Sequence, residues 1–206
     1  IAILFGTGGV LAIVVSGASL PLFLEYFGAD HWPLAWIIIA AICALFLPLC
    51  LWSAAKLKRP APKQADASAP LPLAQIWAQL AGYAGFGLGY IVFLTFLSAW
   101  MTQQAASAGF IAAVWVLLGL CICISPFVWR PILARHASGL PLAMILTCIS
   151  LGSALPVVFP GNISLLLAAI IFGLSVFMAP SAVTNFARQN LPAKSWGAAI
   201  SLFTVV

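Results

Sequence analysis

Apolar residues run along this chain in long blocks, and polar residues gather in short gaps between them. The first block runs from the start to about Leu24 and closes in EYFGADHWP (residues 25–33), a turn with two acids. The second covers 32–55, the third 75–100, the fourth 110–129, the fifth 140–159 and the sixth 163–187, and a seventh has only begun when the sequence stops. The later gaps are TQQAASAG (102–109), RPILARHASG (130–139), PGN (160–162) and RQNLPAKSW (188–196). A membrane span needs about 20 predominantly apolar residues, and six blocks supply them. Lipid offers the backbone no hydrogen-bond partner, so each span must pair its own groups as a helix. Barrel strands would alternate polar and apolar residues, and these blocks do not. The pattern predicts an all-α, polytopic transmembrane helical bundle of about six full spans plus a stub.

Composition agrees. The chain is 65% hydrophobic and 5% charged, with a mean hydropathy of +1.19, where soluble domains carry about 25% charge. Residues 67–129 and 137–187 contain no Asp, Glu, Lys or Arg, and such runs cannot form a soluble surface.

The placement of charge orients the bundle. KLKRPAPKQADASAPLP (56–72) is basic and proline-rich and is a linker by composition. It carries Lys56, Lys58, Arg59 and Lys63 after the second span. Arg130 and Arg135 follow the fourth span, and Arg188 and Lys194 follow the sixth. All eight basic residues therefore share one side, which the positive-inside rule makes cytoplasmic. Glu25 and Asp30 fall outside. The +5 charge thus speaks for a multi-pass protein of the inner (cytoplasmic) membrane and not for nucleic acid.

Candidate chemistry is sparse. His31 and His136 lie on opposite sides of a hydrocarbon core about 30 Å thick, and no span holds an Asp or Glu near its middle. No metal set, nucleophile–base pair or phosphate loop is legible, so the expectation is no enzyme and no cofactor. Cys43, Cys50, Cys121, Cys123 and Cys148 lie in apolar runs as small buried hydrophobes. The sequon at Asn162 sits too close to the membrane to carry weight. The chain begins and ends inside hydrophobic blocks, which suggests that both ends are cut.

GYAGFGLGYIVFLTF (82–96) carries four glycines among aromatics. At about 100° per residue, Gln79, Tyr83, Phe86, Tyr90, Phe93, Leu97 and Trp100 form one stripe. Ala78, Gly82, Gly85 and Gly89 form the stripe beside it. Small residues let a neighbouring helix approach closely. The aromatic stripe has two readings: interhelical packing with Trp100 as interface anchor, or a wall of Gln79, Tyr83 and Tyr90, supported by Phe86 and Trp100, along a solute path. In the sixth span, Ser181, Asn185 and Arg188 share a face, and Pro180 predicts a kink or a freed carbonyl. Ser181 and Asn185 are further path candidates; the alternative places Asn185 and Arg188 in the interface. Gly8, Gly17 and Pro21 in the first span are packing residues first and gating residues second.

Four stretches carry a family resemblance: GGVLAIVVSG (8–17), GYAGFGLGYIVFLTFLSAW (82–100), WRPILARHASGLPLA (129–143) and PSAVTNFARQNLPAKSWGAAIS (180–201). The chain resembles a major facilitator superfamily transporter of the YbfB/YjiJ-like branch. The resemblance implies two six-helix halves joined by a long cytoplasmic loop. Residues 1–55 would be the last two helices of the N-terminal half, 56–74 the central loop and 75–206 most of the C-terminal half. The missing helices would come from the same chain or a partner chain. It also implies secondary transport of a small solute by alternating access, with protons as a candidate coupling ion. The loop with Arg130, Arg135 and Gly139 departs from the family motif by lacking its acid, and Pro21 comes one residue early for the antiporter motif. The rival is a non-transporting membrane subunit or solute-sensing scaffold.

Overall fold

The structure, a computed structural model, describes residues 2–56 and 71–205, with side chains from residue 12 onward among the first helix. Most of the basic linker (57–70) lies outside the described residues, as do the surroundings of Gly8. Among the described residues eight α-helices follow one another: α1 (Ala2–Phe27), α2 (Trp32–Lys56), α3 (Leu73–Gln103), α4 (Ala108–Arg135), α5 (Leu140–Val158), α6 (Asn162–Gly173), α7 (Ala179–Asn190) and α8 (Trp196–Val205). The described residues include no strand. Each long helix coincides with an apolar block, as expected where the backbone has no solvent to bond. Gly28 (φ 93°) turns the chain between α1 and α2, and Gly161 (φ 152°) between α5 and α6. Both angles are rare for residues with a Cβ.

The outer surface is apolar. Trp36, Leu45, Trp52, Leu88, Phe127 and Val157 are all exposed, which suits lipid and not water. The core lies between α3, α4, α5, α6 and α7, around Phe86, Leu118, Ile145 and Phe172. α4 is central, with α1 along one side and α6 along another. α2 buries only Ala35.

Close approach depends on particular glycines. A Cβ on Gly119 of α4 would meet the Val14 side chain of α1, and one on Gly17 of α1 would overlap the stem of Trp115. A Cβ on Gly152 would lie 3.0 Å from the Phe172 backbone nitrogen, and one on Gly173 would lie 2.7 Å from the Leu118 carbonyl oxygen. Small residues at these crossings bring backbones together, which supplies packing where lipid provides no hydrophobic contrast.

Prolines are accommodated inside α4. Pro126 cannot donate to the Ile122 carbonyl, and the Ser125 hydroxyl donates to that oxygen instead, at 2.8 Å. α4 also runs through Pro131 to Arg135, beyond the fourth block's expected end at residue 129. The sixth block is not one helix. α6 stops at Gly173, a 3₁₀ turn spans Val176–Met178, and α7 starts at Ala179. The break lies just upstream of Pro180. The proline ring crowds the carbonyl four residues back and has no N–H to give it, so the preceding turn tightens to 3₁₀ geometry. Met178 N–H donates to the Ser175 carbonyl at 3.0 Å, and the Leu174 carbonyl is left for another donor. The indole Nε1 of Trp129 fills that role at 2.7 Å.

Candidate functional site

Two regions hold the candidate residues. The first is the inner face of α3. Tyr83, Phe86 and Tyr90 form a continuous ladder of rings. The Tyr83 and Phe86 centroids are 5.5 Å apart, and Phe86 stacks on Tyr90 at 4.5 Å with 10° between planes. Phe203 of α8 meets Tyr83 edge-on at 5.9 Å. Phe86 is buried, whereas both tyrosines are only partly buried. Offset and edge-on rings of this kind hold geometry beyond what area burial supplies.

The ladder does not extend evenly to its predicted ends. Gln79 lies one turn below Tyr83 and packs into the notch at Gly139, where a Cβ would overlap its amide nitrogen. Its Oε1 is buried with no hydrogen-bond partner among the described residues. Trp100 lies at the far end of α3 and lines a separate, almost wholly apolar cavity of about 150 Å³ with Phe93, Leu97, Ser153 and Pro156.

The glycine stripe beside the ladder is unevenly used. Gly82 lies against Leu142 and Leu146 of α5, whose side chains would be 3.5 Å from a Cβ. A Cβ on Gly85 or Gly89 would meet nothing within 4 Å among the described residues beyond its own stretch of helix. Pro21 is partly buried within α1, which continues past it to Phe27.

The second region is a cleft of about 390 Å³ between the end of α4 and α7, with polar groups set in a largely apolar lining. Leu133, Pro180, Ser181, Thr184, Asn185 and Arg188 line it. Ser181, Asn185 and Arg188 share this face because residues four and seven apart on a helix point the same way. The Asn185 Nδ2 donates to the Leu133 carbonyl at 2.8 Å. The last carbonyls of a helix have no partner within it, so Asn185 satisfies one of them and pins α7 to α4. Asn190 donates to the Ala137 carbonyl at 2.5 Å, in the loop just beyond the end of α4. Arg130 and Arg135 are exposed at the same end of α4.

A family model described as "Uncharacterised MFS-type transporter YbfB" matches residues 1–206. The chain belongs to this family of MFS-type transporters. Neither a curated protein nor a solved structure matches it significantly. As an MFS-type membrane transporter chain, it presents five apolar helical segments long enough to cross a bilayer among its described residues: Ala29–Lys56, Leu73–Gln103, Ala108–Arg135, Leu140–Val158 and Asn162–Asn190. The 26-residue α1 stands beside them.

Several residues of this MFS-type chain escaped the sequence reading. Trp129 and Leu174 hold the break in the sixth span. Ser98 of α3 accepts from Trp115 Nε1 of α4 at 2.8 Å. Gly119, Gly152 and Gly173 make the closest helix crossings. Pro180 predicts a freed carbonyl four residues back, at Val176; that the tightened turn instead leaves the Leu174 carbonyl to a donor 45 residues away is not written locally.

Proposed function

We propose that this chain works in secondary active transport of a small solute across the cytoplasmic membrane, by alternating access. The observation that supports it most is the ring ladder of Tyr83, Phe86 and Tyr90 on α3, beside the unfilled positions Gly85 and Gly89. Amphipathic rings beside open small residues make a surface that a solute can slide along while the helix shifts. Gln79 extends that wall with a buried, unpaired acceptor. Ser181 and Asn185 form its counterpart on α7, below a helix break of the kind transporters place near their binding sites. The α1–α4 seam is the contact between the two halves, with 1–55 in one, 75–206 in the other and 56–74 as the joining loop. The basic loops face the cytoplasm. The described spans hold no Asp, Glu or His at depth, so a proton-coupled cycle would use a titratable group outside them.

Uptake by the full-length protein in proteoliposomes tests this. Tyr83→Ala and Tyr90→Ala should abolish uptake of the identified solute while the variants remain folded and monodisperse. Loss of folding instead would assign the ladder to packing. Unchanged uptake would remove α3 from the path.

A further inference from the structure

Arg188 has no acidic partner among the described residues. The chain has three acids in all, Glu25, Asp30 and Asp66. The α1–α4 contacts place two of them. Gly17 of α1 lies against Trp115, and Val14 against Gly119, so the helices run in opposite directions and the C-terminal end of α1 is level with the start of α4. Glu25 and Asp30 therefore lie at one end of the bundle. Arg130, Arg135 and Arg188 lie at the other, because Asn185 ties α7 to Leu133 in the last turn of α4 and Asn190 ties it to Ala137 just beyond that helix. At 1.5 Å per residue, α4 separates the two ends by about 40 Å. Asp66 lies outside the described residues, in a stretch with Lys58, Arg59 and Lys63.

The cleft beside Arg188 is unevenly equipped. Thr184 Oγ1 donates to the Pro180 carbonyl at 2.8 Å. The Asn185 amide is spent on Leu133, and its Oδ1 accepts from Gln189 at 3.3 Å. Ser181 and Arg188 have donors left over among the described residues. The Arg188 guanidinium lies 5.7 Å from the ring centre of Trp196, and Trp196 is itself anchored by its Nε1 to the Leu191 carbonyl at 2.9 Å. At this distance the indole face attracts the cation without taking any of its N–H donors, which remain for a planar, two-toothed acceptor. About 390 Å³ holds a phosphate or carboxylate group with several waters. Arginine selects such groups because its fork matches two of their oxygens.

We propose that the cleft between α4 and α7 is an oxyanion-binding site, with Arg188 as the charged ligand and Ser181 as a second donor. The oxyanion has two sources, the phosphate of an anionic lipid headgroup and a soluble anion. Ser181 is shared with the proposed solute path but Arg188 is not, so Arg188→Gln that loses oxyanion binding and keeps uptake separates this site from the path, and Tyr83→Ala that loses uptake and keeps oxyanion binding does the reverse.

Native mass spectrometry of the full-length protein, extracted from bilayers of phosphatidylglycerol and phosphatidylcholine, reads the lipid arm. Thermal unfolding titrated with inorganic phosphate reads the soluble arm. In at least one arm, Arg188→Gln should weaken binding about tenfold, Arg188→Lys less, and the charge-matched Lys194→Gln by under about twofold. Ser181→Ala should weaken it by a few-fold and serves if Arg188→Gln does not fold. Retained phosphatidylglycerol assigns the site to lipid, and a phosphate response without lipid preference assigns it to a soluble anion. Equal losses in Arg188→Gln and Lys194→Gln would mean diffuse surface charge and overturn the proposal. So would the absence of an Arg188-dependent signal in both arms.

Discussion

The indole nitrogen of Trp129 donates to the Leu174 carbonyl at 2.7 Å, joining α4 to the point where the sixth span breaks. Trp129 is 4% exposed, so water cannot replace the bond. Trp129→Phe should cost about 1–3 kcal/mol, the penalty of an unmade buried bond. In a Pro180→Ala background the helix can close across residues 174–178, and Met178 N–H can take the carbonyl. The Trp129→Phe cost should then shrink, as a double-mutant cycle of unfolding in detergent would show. Full additivity would mean that the break does not depend on the proline.

The α1–α4 seam should be intolerant of even one methyl group. Gly17→Ala meets the stem of Trp115, which cannot rotate away, and Gly119→Ala meets the Val14 side chain. Each should destabilise by about 1–3 kcal/mol through overpacking. Thermal melts of the purified protein read this, and a neutral Gly17→Ala would show that the helices separate readily.

Gly85→Ala and Gly89→Ala should behave oppositely. Neither new methyl group has a neighbour within 4 Å among the described residues, and alanine gains up to about 1 kcal/mol of helix propensity over glycine. Stability should hold or rise while uptake falls, if these positions serve a moving or solute-facing surface. Loss of stability in both would reveal a helix packed against them.

Gln79 and Gly139 form a tight pair with an unpaired oxygen. Gly139→Ala should destabilise by driving the Gln79 amide out of its notch, and adding Gln79→Ala should restore most of the loss. Gln79→Met alone removes the orphan acceptor at similar volume and should be neutral or stabilising by up to about 1–3 kcal/mol. If Gln79 faces a solute, the same variant should lose uptake. Melting and uptake measured on one preparation separate the two effects.

Asn185→Leu should loosen α7 from α4. A hydrogen bond between membrane helices contributes about 0.5–2 kcal/mol, so a fall of that size in unfolding free energy is expected. Hydrogen exchange should rise at the end of α4 near Leu133. Unchanged exchange there would show that Asn190 alone holds the joint.

The sequence by itself determined where the helices are. The fifth block, expected over 140–159, is Leu140–Val158, and the second, expected over 32–55, is Trp32–Lys56. Lipid leaves the backbone one solution, so apolar length alone suffices to read a span. The share of Ser181, Asn185 and Arg188 in one face was also legible, because helical spacing is a local property. Which helices touch was not. Gly85 and Gly89 form a regular stripe and meet nothing among the described residues, whereas Gly17, Gly119, Gly152 and Gly173 make close crossings. In water, an apolar stripe marks the buried face. Here both the core and the surrounding lipid are apolar, and the stripe loses its meaning. The same holds for Pro180, whose effect on its own helix is written locally. The donor that stabilises the resulting break came from Trp129, and only the tertiary structure brings it there.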